Sequence, residues 1–214
     1  MLDLARVRQE YMRDGLDEKD VLVDPLAQFA RWFDDAQKAE LLMPNAMSLA
    51  TVSASGKPSS RIVLLKGVDS GFVFYTDYHS RKGREIAANH HASLLFAWLP
   101  LERQIRIDGT LAKVSAAESD TYFATRPLGS RHAAMASPQS EVVAHRSALE
   151  QRFNDTARAT GDNPARPAHW GGYRLMPVEI EFWQGRENRL HDRLVYRKAA
   201  QGWRCERLAP CMQD

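Results

Sequence analysis

Residues 180–193 read IEFWQGRENRLHDR and hold a dense set of side chains able to do chemistry. An aromatic pair and a Gln-Gly turn precede an Arg-x-His-x-Arg alternation. An extended chain sends successive side chains to opposite faces. If residues 189–193 form a strand, Arg189, His191 and Arg193 share one face, while Leu190, Asp192 and Leu194 share the other. Two guanidinium groups around an imidazole make a poor core face and a good seat for an anionic ligand. A solvated edge strand carries the same charges, so the alternation alone leaves both readings open.

No Gly-x-Gly occurs, so neither a Rossmann fingerprint nor a Walker loop can hold phosphate on backbone amides. HExxH and EF-hand patterns are also missing. A phosphate ligand must be held by side chains. Ser80-Arg81-Lys82 falls at an expected helix start, where free N–H groups and the helix dipole favour an anion; a solvated helix end is the alternative. Arg61 and Lys66 bracket a β-branched strand, and their odd offset puts them on opposite faces. Either the strand is bulged, or Lys66 lies past its end, or the two groups reach different parts of the ligands. Tyr122, Arg126 and Ser130 recur every four residues, which a helix would align. Pro127 ends that helix at Arg126, because the residue before proline disfavours the α conformation. Three donors then cluster at the break, suited to a phosphate monoester.

These segments resemble the pyridoxamine 5′-phosphate oxidase family. RIVLLK at 61–66, FYT at 74–76, SRK at 80–82, LERQ at 101–104, YFATRP at 122–127 and the stretch 180–193 occur in that family's order, and the likeness runs from about residue 8 to 210. The resemblance implies a split FMN-binding barrel, working as a homodimer with FMN sites at the subunit interface. It implies oxidation of pyridoxamine and pyridoxine 5′-phosphate to pyridoxal 5′-phosphate, with hydride transfer from C4′ to flavin N5 and reoxidation by O2 to H2O2. Flavin contacts implied by the match are Arg61, Ile62, Val63, Leu64, Leu65, Lys66, Tyr75, Thr76, Ser80, Arg81, Lys82, Gln104, Gln139, Ser140, Trp183 and Arg193, with Arg81 and Lys82 on the FMN phosphate. Lys66, Tyr122, Arg126 and Ser130 match residues that grip the substrate phosphate. Arg8 and Tyr11 match a lid within residues 1–20. Arg189 and His191 match residues beside the pyridine ring and are the expected catalytic pair. Without the family, Tyr75, Thr76 and Gln104 read as ordinary strand residues.

The elements that must position these groups are strand-rich. Asp24-Pro25 reads as an N-cap with proline at the first helical position, and Leu26, Phe29, Trp32, Phe33 and Ala36 follow at helical spacing to about Leu41. A short amphipathic helix is expected over 2–13. Residues 46–68 read as a hairpin, Asp69-Ser70-Gly71 as a turn into FVFYT, and Ser80 as the cap of a helix over 81–89. Strands follow at HASLLFAWL and RQIRIDGTLAKV, helices over 115–126 and 141–158, and a last β region from Tyr173 to a hairpin closed near 200–202. Short turns between many strands favour an antiparallel sheet or barrel with peripheral helices over a doubly wound fold.

A chain of 214 residues suits one domain with a sizeable core. A net charge of +2, from 29 basic and 27 acidic residues, argues against a general nucleic-acid binder. Cys205 and Cys211 form no CxxC, and the histidines outside the 189–193 stretch show no ligand spacing, so no metal is expected. The N-terminus is not patterned as a signal peptide, and the longest nearly apolar run, 92–101, cannot span a bilayer. A cytoplasmic location is the expectation. The rival readings are a related flavin enzyme acting on another ring, as in phenazine-forming relatives, and a non-catalytic carrier of FMN or pyridoxal phosphate. The tail CMQD at 211–214 departs from the family pattern.

Overall fold

The computed structural model describes residues 15–210. The expected helix over 2–13, the lid residues Arg8 and Tyr11, and the tail at 211–214 lie outside the described residues. In chain order the elements are α1 (Pro25–Lys38), β1 (Ala46–Val52), β2 (Pro58–Leu64), β3 (Gly67–Val68), β4 (Phe72–Asp77), α2 (Arg81–Ala88), β5 (His91–Trp98), β6 (Arg103–Lys113), α3 (Ala116–Thr125), α4 (Leu128–Ala136), α5 (Arg146–Thr160), β7 (Trp170–Gln184), β8 (Asp192–Lys198) and β9 (Trp203–Arg207). Hydrogen bonds order the strands β2-β1-β5-β6-β7-β4-β3, with β8 on β7 and β9 on β8. This is the strand-rich antiparallel class that the turn spacing anticipates. Among the described residues no helix is long and apolar enough to cross a membrane.

The chain clusters into two compact units. Among the described residues, one takes 15–48, Ser93–Asp108 and 177–210; the other takes Leu49–Ala92 and Gly109–Met176. In the first, the Asp24 side chain accepts from the Leu26 N–H, and Pro25 opens α1. The helix buries Phe29, Trp32 and Ala36. Trp32 meets Phe182 edge-on at 5.2 Å, and Phe29 meets Phe96 at 5.1 Å. The β7–β8 ladder sets Trp183 opposite Arg193 and Gln184 opposite Asp192.

In the second unit, β4 pairs with the first half of β7, setting Tyr75 opposite Gly172 and Thr76 opposite Gly171. Both glycines are required by close approach. A Cβ at Gly172 would lie 2.8 Å from Tyr75 Cε1, and one at Gly171 would lie 2.2 Å from the Tyr78 hydroxyl. Phe72, Phe74, Phe123 and Leu175 form the core beneath.

Three local expectations change. Residues 189–193 are not one strand: Glu187–Arg189 is a 3-10 turn, Asn188 and Arg189 take φ of 56° and 59°, and β8 starts only at Asp192. A left-handed pair cannot continue an extended ladder, so Arg189 and His191 do not share a strand face with Arg193. The helix expected over 141–158 begins at Arg146, with His145 Nδ1 accepting from the Ala148 N–H as its cap. An unforeseen helix, α4, follows Pro127, whose ring presets the entry backbone for a new start.

Candidate active site

The second unit contains a cavity of about 950 Å³, within the range of small-molecule sites. Its floor comes from β2, where Arg61, Ile62, Val63 and Leu64 all line it. Lys66 lines it too, and the offset puzzle resolves simply. The strand ends at Leu64, and Lys66 lies past that end with its N–H donated to the Val73 carbonyl at 2.8 Å. Leu65 points into the core instead and stays out of the lining.

One wall is the start of α2. Ser80 caps the helix by accepting from the Gly83 N–H, and donates its own hydroxyl proton to the Asp77 carbonyl at 2.6 Å. Lys82 is buried and sends Nζ to Gln139 Oε1 at 2.9 Å and Thr76 Oγ1 at 3.1 Å. Burial lowers its pKa, the Arg61 charge adds to that, and Asp77 and Glu85 oppose it. Arg81 lies outside the lining with its guanidinium on Glu85 at 2.9 Å. Ser140, at φ 73°, is also outside the lining, whereas Gln139 is inside.

The opposite wall is the α3–α4 break. Arg126 adopts an extended conformation before Pro127, as the proline demands. Tyr122, Arg126 and Ser130 all line the cavity, so the four-residue recurrence does gather three donors. Tyr122 stacks on Tyr75 at 3.8 Å and 16°. Arg126 lies 4.5 Å over the Trp170 ring. Its Nη1 is buried without a hydrogen-bond partner among the described residues, and burial lowers its pKa. A buried guanidinium nitrogen with no acceptor is a costly feature unless a ligand supplies the acceptor. Arg61, Lys66, Lys82 and Arg126 face one lining carboxylate, Asp77. This donor set fits phosphate esters.

A separate cavity of about 360 Å³ in the first unit is lined by Gln104, Trp183 and Arg193, with Leu95, Arg106 and Glu181. Arg193 Nε meets Glu181 Oε1 at 2.6 Å, and Arg106 meets the other oxygen at 2.9 Å. His191 and Arg189 line neither cavity. His191 stands 4.6 Å from the Trp183 ring and accepts the Arg186 N–H on Nδ1 at 3.1 Å. Burial lowers its pKa, the nearby Arg189 charge does the same, and Asp192 acts against them.

Sequence reasoning missed Trp170, Asp77 and Ser137 as lining residues, and Glu85 as the carboxylate beneath the cations. Trp170 carries no periodic signal, because its place depends on the β4–β7 register. Glu85 stands four residues after Arg81, a helical spacing from which their ion pair was readable.

Residues 33–157 match a family model described as pyridoxamine 5′-phosphate oxidase, and residues 170–210 match one described as the pyridoxine 5′-phosphate oxidase C-terminal dimerisation region. The chain is 57% identical over 212 residues to a pyridoxine/pyridoxamine 5′-phosphate oxidase of Cupriavidus pinatubonensis, covering 98% of this chain and all of that one. A Burkholderia cenocepacia protein of the same name is 58% identical over 214 residues, with the same coverage. Among solved structures, PhzG from Burkholderia lata 383, in complex with tetrahydrophenazine-1-carboxylic acid, aligns with a TM-score of 0.87 at 34% identity. That match covers 92% of this chain and 98% of PhzG. An FMN-binding protein related to pyridoxamine 5′-phosphate oxidase from Nostoc punctiforme shares the fold, with a TM-score of 0.69 at 18% identity over 92% of this chain and all of that one.

Proposed function

The chain belongs to the pyridoxamine 5′-phosphate oxidase family, a family of split-barrel oxidoreductases, and on that premise we propose that it oxidises pyridoxamine and pyridoxine 5′-phosphate to pyridoxal 5′-phosphate with FMN and O2. The observation that carries the reading is the lining of one cavity by two cationic groups on different elements. Lys82, with Thr76 and Gln139, is one; Arg126, with Tyr122 and Ser130, is the other. Two phosphate esters, one on the cofactor and one on the substrate, match that pair.

Bound in the cavity by the residues named below, FMN would supply the electron chemistry, as acceptor of a hydride equivalent from C4′ and source of the two electrons that reduce O2 to H2O2. For the amine the net change is substrate plus O2 and water giving aldehyde, ammonia and H2O2. The chain's own groups bind and orient. Arg61, Ile62, Val63, Leu64, Lys66, Tyr75, Thr76, Lys82 and Gln139 hold the cofactor, with Ser80 setting the helix start, and Arg81, Leu65 and Ser140 as neighbours of that surface. Lys66, Tyr122, Arg126 and Ser130 hold the substrate phosphate, so positioning dominates the rate. Arg189 and His191 orient the pyridine ring, and Arg8 and Tyr11 cover it.

Trp183, Arg193 and Gln104 serve the flavin in a homodimer with FMN sites at the subunit interface; the match of residues 170–210 to a dimerisation region supports this. The single-domain reading belongs to the same proposal, because β1, β5, β6 and β7 each contribute residues to both compact units. The likeness to PhzG keeps a second reading in view, oxidation of a different ring. The higher identity to the B6 phosphate oxidases favours the first.

The test is anaerobic. FMN-loaded protein is mixed with pyridoxamine 5′-phosphate and the flavin absorbance followed. Bleaching that air reverses, with an aldehyde product, is expected. A flavin that binds and stays oxidised would sink the reaction and point to another ring or a carrier.

A further inference from the structure

Glu85 stands beneath the cations of the proposed phosphate seat and belongs to no contact set assigned so far. It lies in α2, four residues after Arg81, and its side chain is 7% exposed. One carboxylate oxygen, Oε1, takes Arg81 Nε at 2.9 Å. The other takes the Thr51 hydroxyl at 2.5 Å, the Ser59 hydroxyl at 2.6 Å and Arg61 Nη2 at 3.2 Å.

The direction of these bonds is forced. Arginine can only donate. Arg61 Nη1 donates to Thr51 Oγ1 at 2.5 Å and to the Leu49 carbonyl at 3.1 Å, and Nη2 also donates to Ser59 Oγ. Thr51 and Ser59 therefore accept from Arg61, and each has its single proton left for Glu85. The carboxylate thus holds Arg61 directly and through two hydroxyls, while its second oxygen holds Arg81. Arg61 shares the cavity lining with Lys82, and its charge is among those acting on that ammonium.

We propose that Glu85 is a positioning residue for the cofactor phosphate: it clamps Arg61 and Arg81 beside Lys82 before any ligand arrives. The inference rests on the FMN reading above. Two long side chains then lose their rotamer freedom on folding rather than on binding. The carboxylate also relieves repulsion among three neighbouring cations. A glutamine cannot replace it, because its NH2 must face a donor on one side or the other, Arg81 or the Arg61–hydroxyl group.

The sign of the effect separates positioning from simple charge. Removing a negative charge next to an anion seat should tighten anion binding by Coulomb attraction alone. Removing a clamp should weaken it. The experiment measures FMN and riboflavin affinity of the apoprotein by fluorescence quenching, for the parent and for Glu85→Gln, with far-UV circular dichroism to verify folding. The expected result is a loss of tenfold or more for FMN with riboflavin affinity kept within about twofold. FMN binding that is unchanged or tighter overturns the inference. Equal losses for FMN and riboflavin also overturn it, since they mark a general structural role.

If Glu85→Gln does not fold, Ser59→Ala tests the same clamp with the charge kept. A loss of about threefold is expected for FMN alone, and no loss, or an equal one for riboflavin, counts against the clamp. A parent protein that binds neither flavin removes the FMN reading, and this inference with it. A parent that binds FMN beside a variant unchanged in FMN affinity removes the inference alone.

Discussion

Trp183 and Arg193 stand directly opposite each other in the antiparallel β7–β8 ladder. Cross-strand partners present their side chains on the same face, and both line the first unit's cavity with Gln104. Glu181 fixes the Arg193 guanidinium at 2.6 Å, and the Ala209 carbonyl accepts from it at 3.2 Å. An aromatic face and an oriented cation are thereby presented together, a suitable surface for an anionic or electron-rich ring.

Arg193→Met should therefore weaken FMN without disturbing the fold. A charge-assisted hydrogen bond contributes about 1.5–3 kcal/mol, or roughly ten- to a hundredfold in affinity. Titration of apoprotein with FMN reads this directly. An unaltered Kd would remove Arg193 from the cofactor site.

Arg126 should show opposite effects on function and stability. Its guanidinium is partly desolvated, with Nη1 buried and unpartnered among the described residues. Arg126→Met should raise KM for pyridoxamine 5′-phosphate about a hundredfold, leave FMN affinity within a factor of two, and raise the Tm of the ligand-free protein by about 2–4 °C. Steady-state kinetics and calorimetry check the two halves. A lower Tm would mean that the Trp170 contact at 4.5 Å outweighs the desolvation penalty.

His191 should set an acid limb. Burial and the Arg189 charge hold its pKa below the ordinary 6.5. The neutral ring accepts the Arg186 N–H on Nδ1, and protonation there breaks that bond. Because the folded pKa is depressed, the neutral form dominates above 6.5, and its contribution to stability is lost as pH falls from 6.5 through the folded value. Arg189→Ala should move the limb to higher pH and slow flavin reduction while sparing FMN binding. An NMR titration of the imidazole and stopped-flow reduction test this. A limb that stays in place would exclude Arg189 as the neighbour that matters.

Glu85 should contribute to acid stability. Burial pushes its carboxyl up, but hydrogen bonds from Ser59, Thr51, Arg81 and Arg61 outweigh that and bring it to about 2, from an ordinary 4.5. The contribution is therefore complete above pH 4.5 and is lost as pH falls from 4.5 toward 2. Its upper bound is about 3 kcal/mol. Urea midpoints of the parent and Glu85→Gln should differ at pH 7 and draw together as pH falls from 4.5 toward 2. A constant gap across that range would show that the carboxylate charge is not the source.

What the sequence determined by itself was local or carried by motifs. Asp24-Pro25 and Ser80 start helices as their side chains require, because a cap bonds within three residues of itself. The Arg126-Pro127 break is set by a steric clash between adjacent residues. The six short motifs carry the family resemblance, and most of their residues on β2, β4, α2 and α3 line one cavity.

Only the tertiary structure decided the rest. Whether Arg61 and Lys66 could share a cavity depended on where β2 stops, which the pairing of its continuation with Val73 sets. Trp170 joined the site through the β4–β7 register, and Glu85 became an anchor because Thr51, Ser59 and Arg61 reach it from distant positions in the chain. Arg189 left the expected strand for a left-handed turn and His191 for the short segment between that turn and β8, which begins at Asp192 under hydrogen bonds from Leu16 and Arg207. Alternation in a sequence measures a face only while the backbone stays extended, and whether it does is settled by contacts made far along the chain.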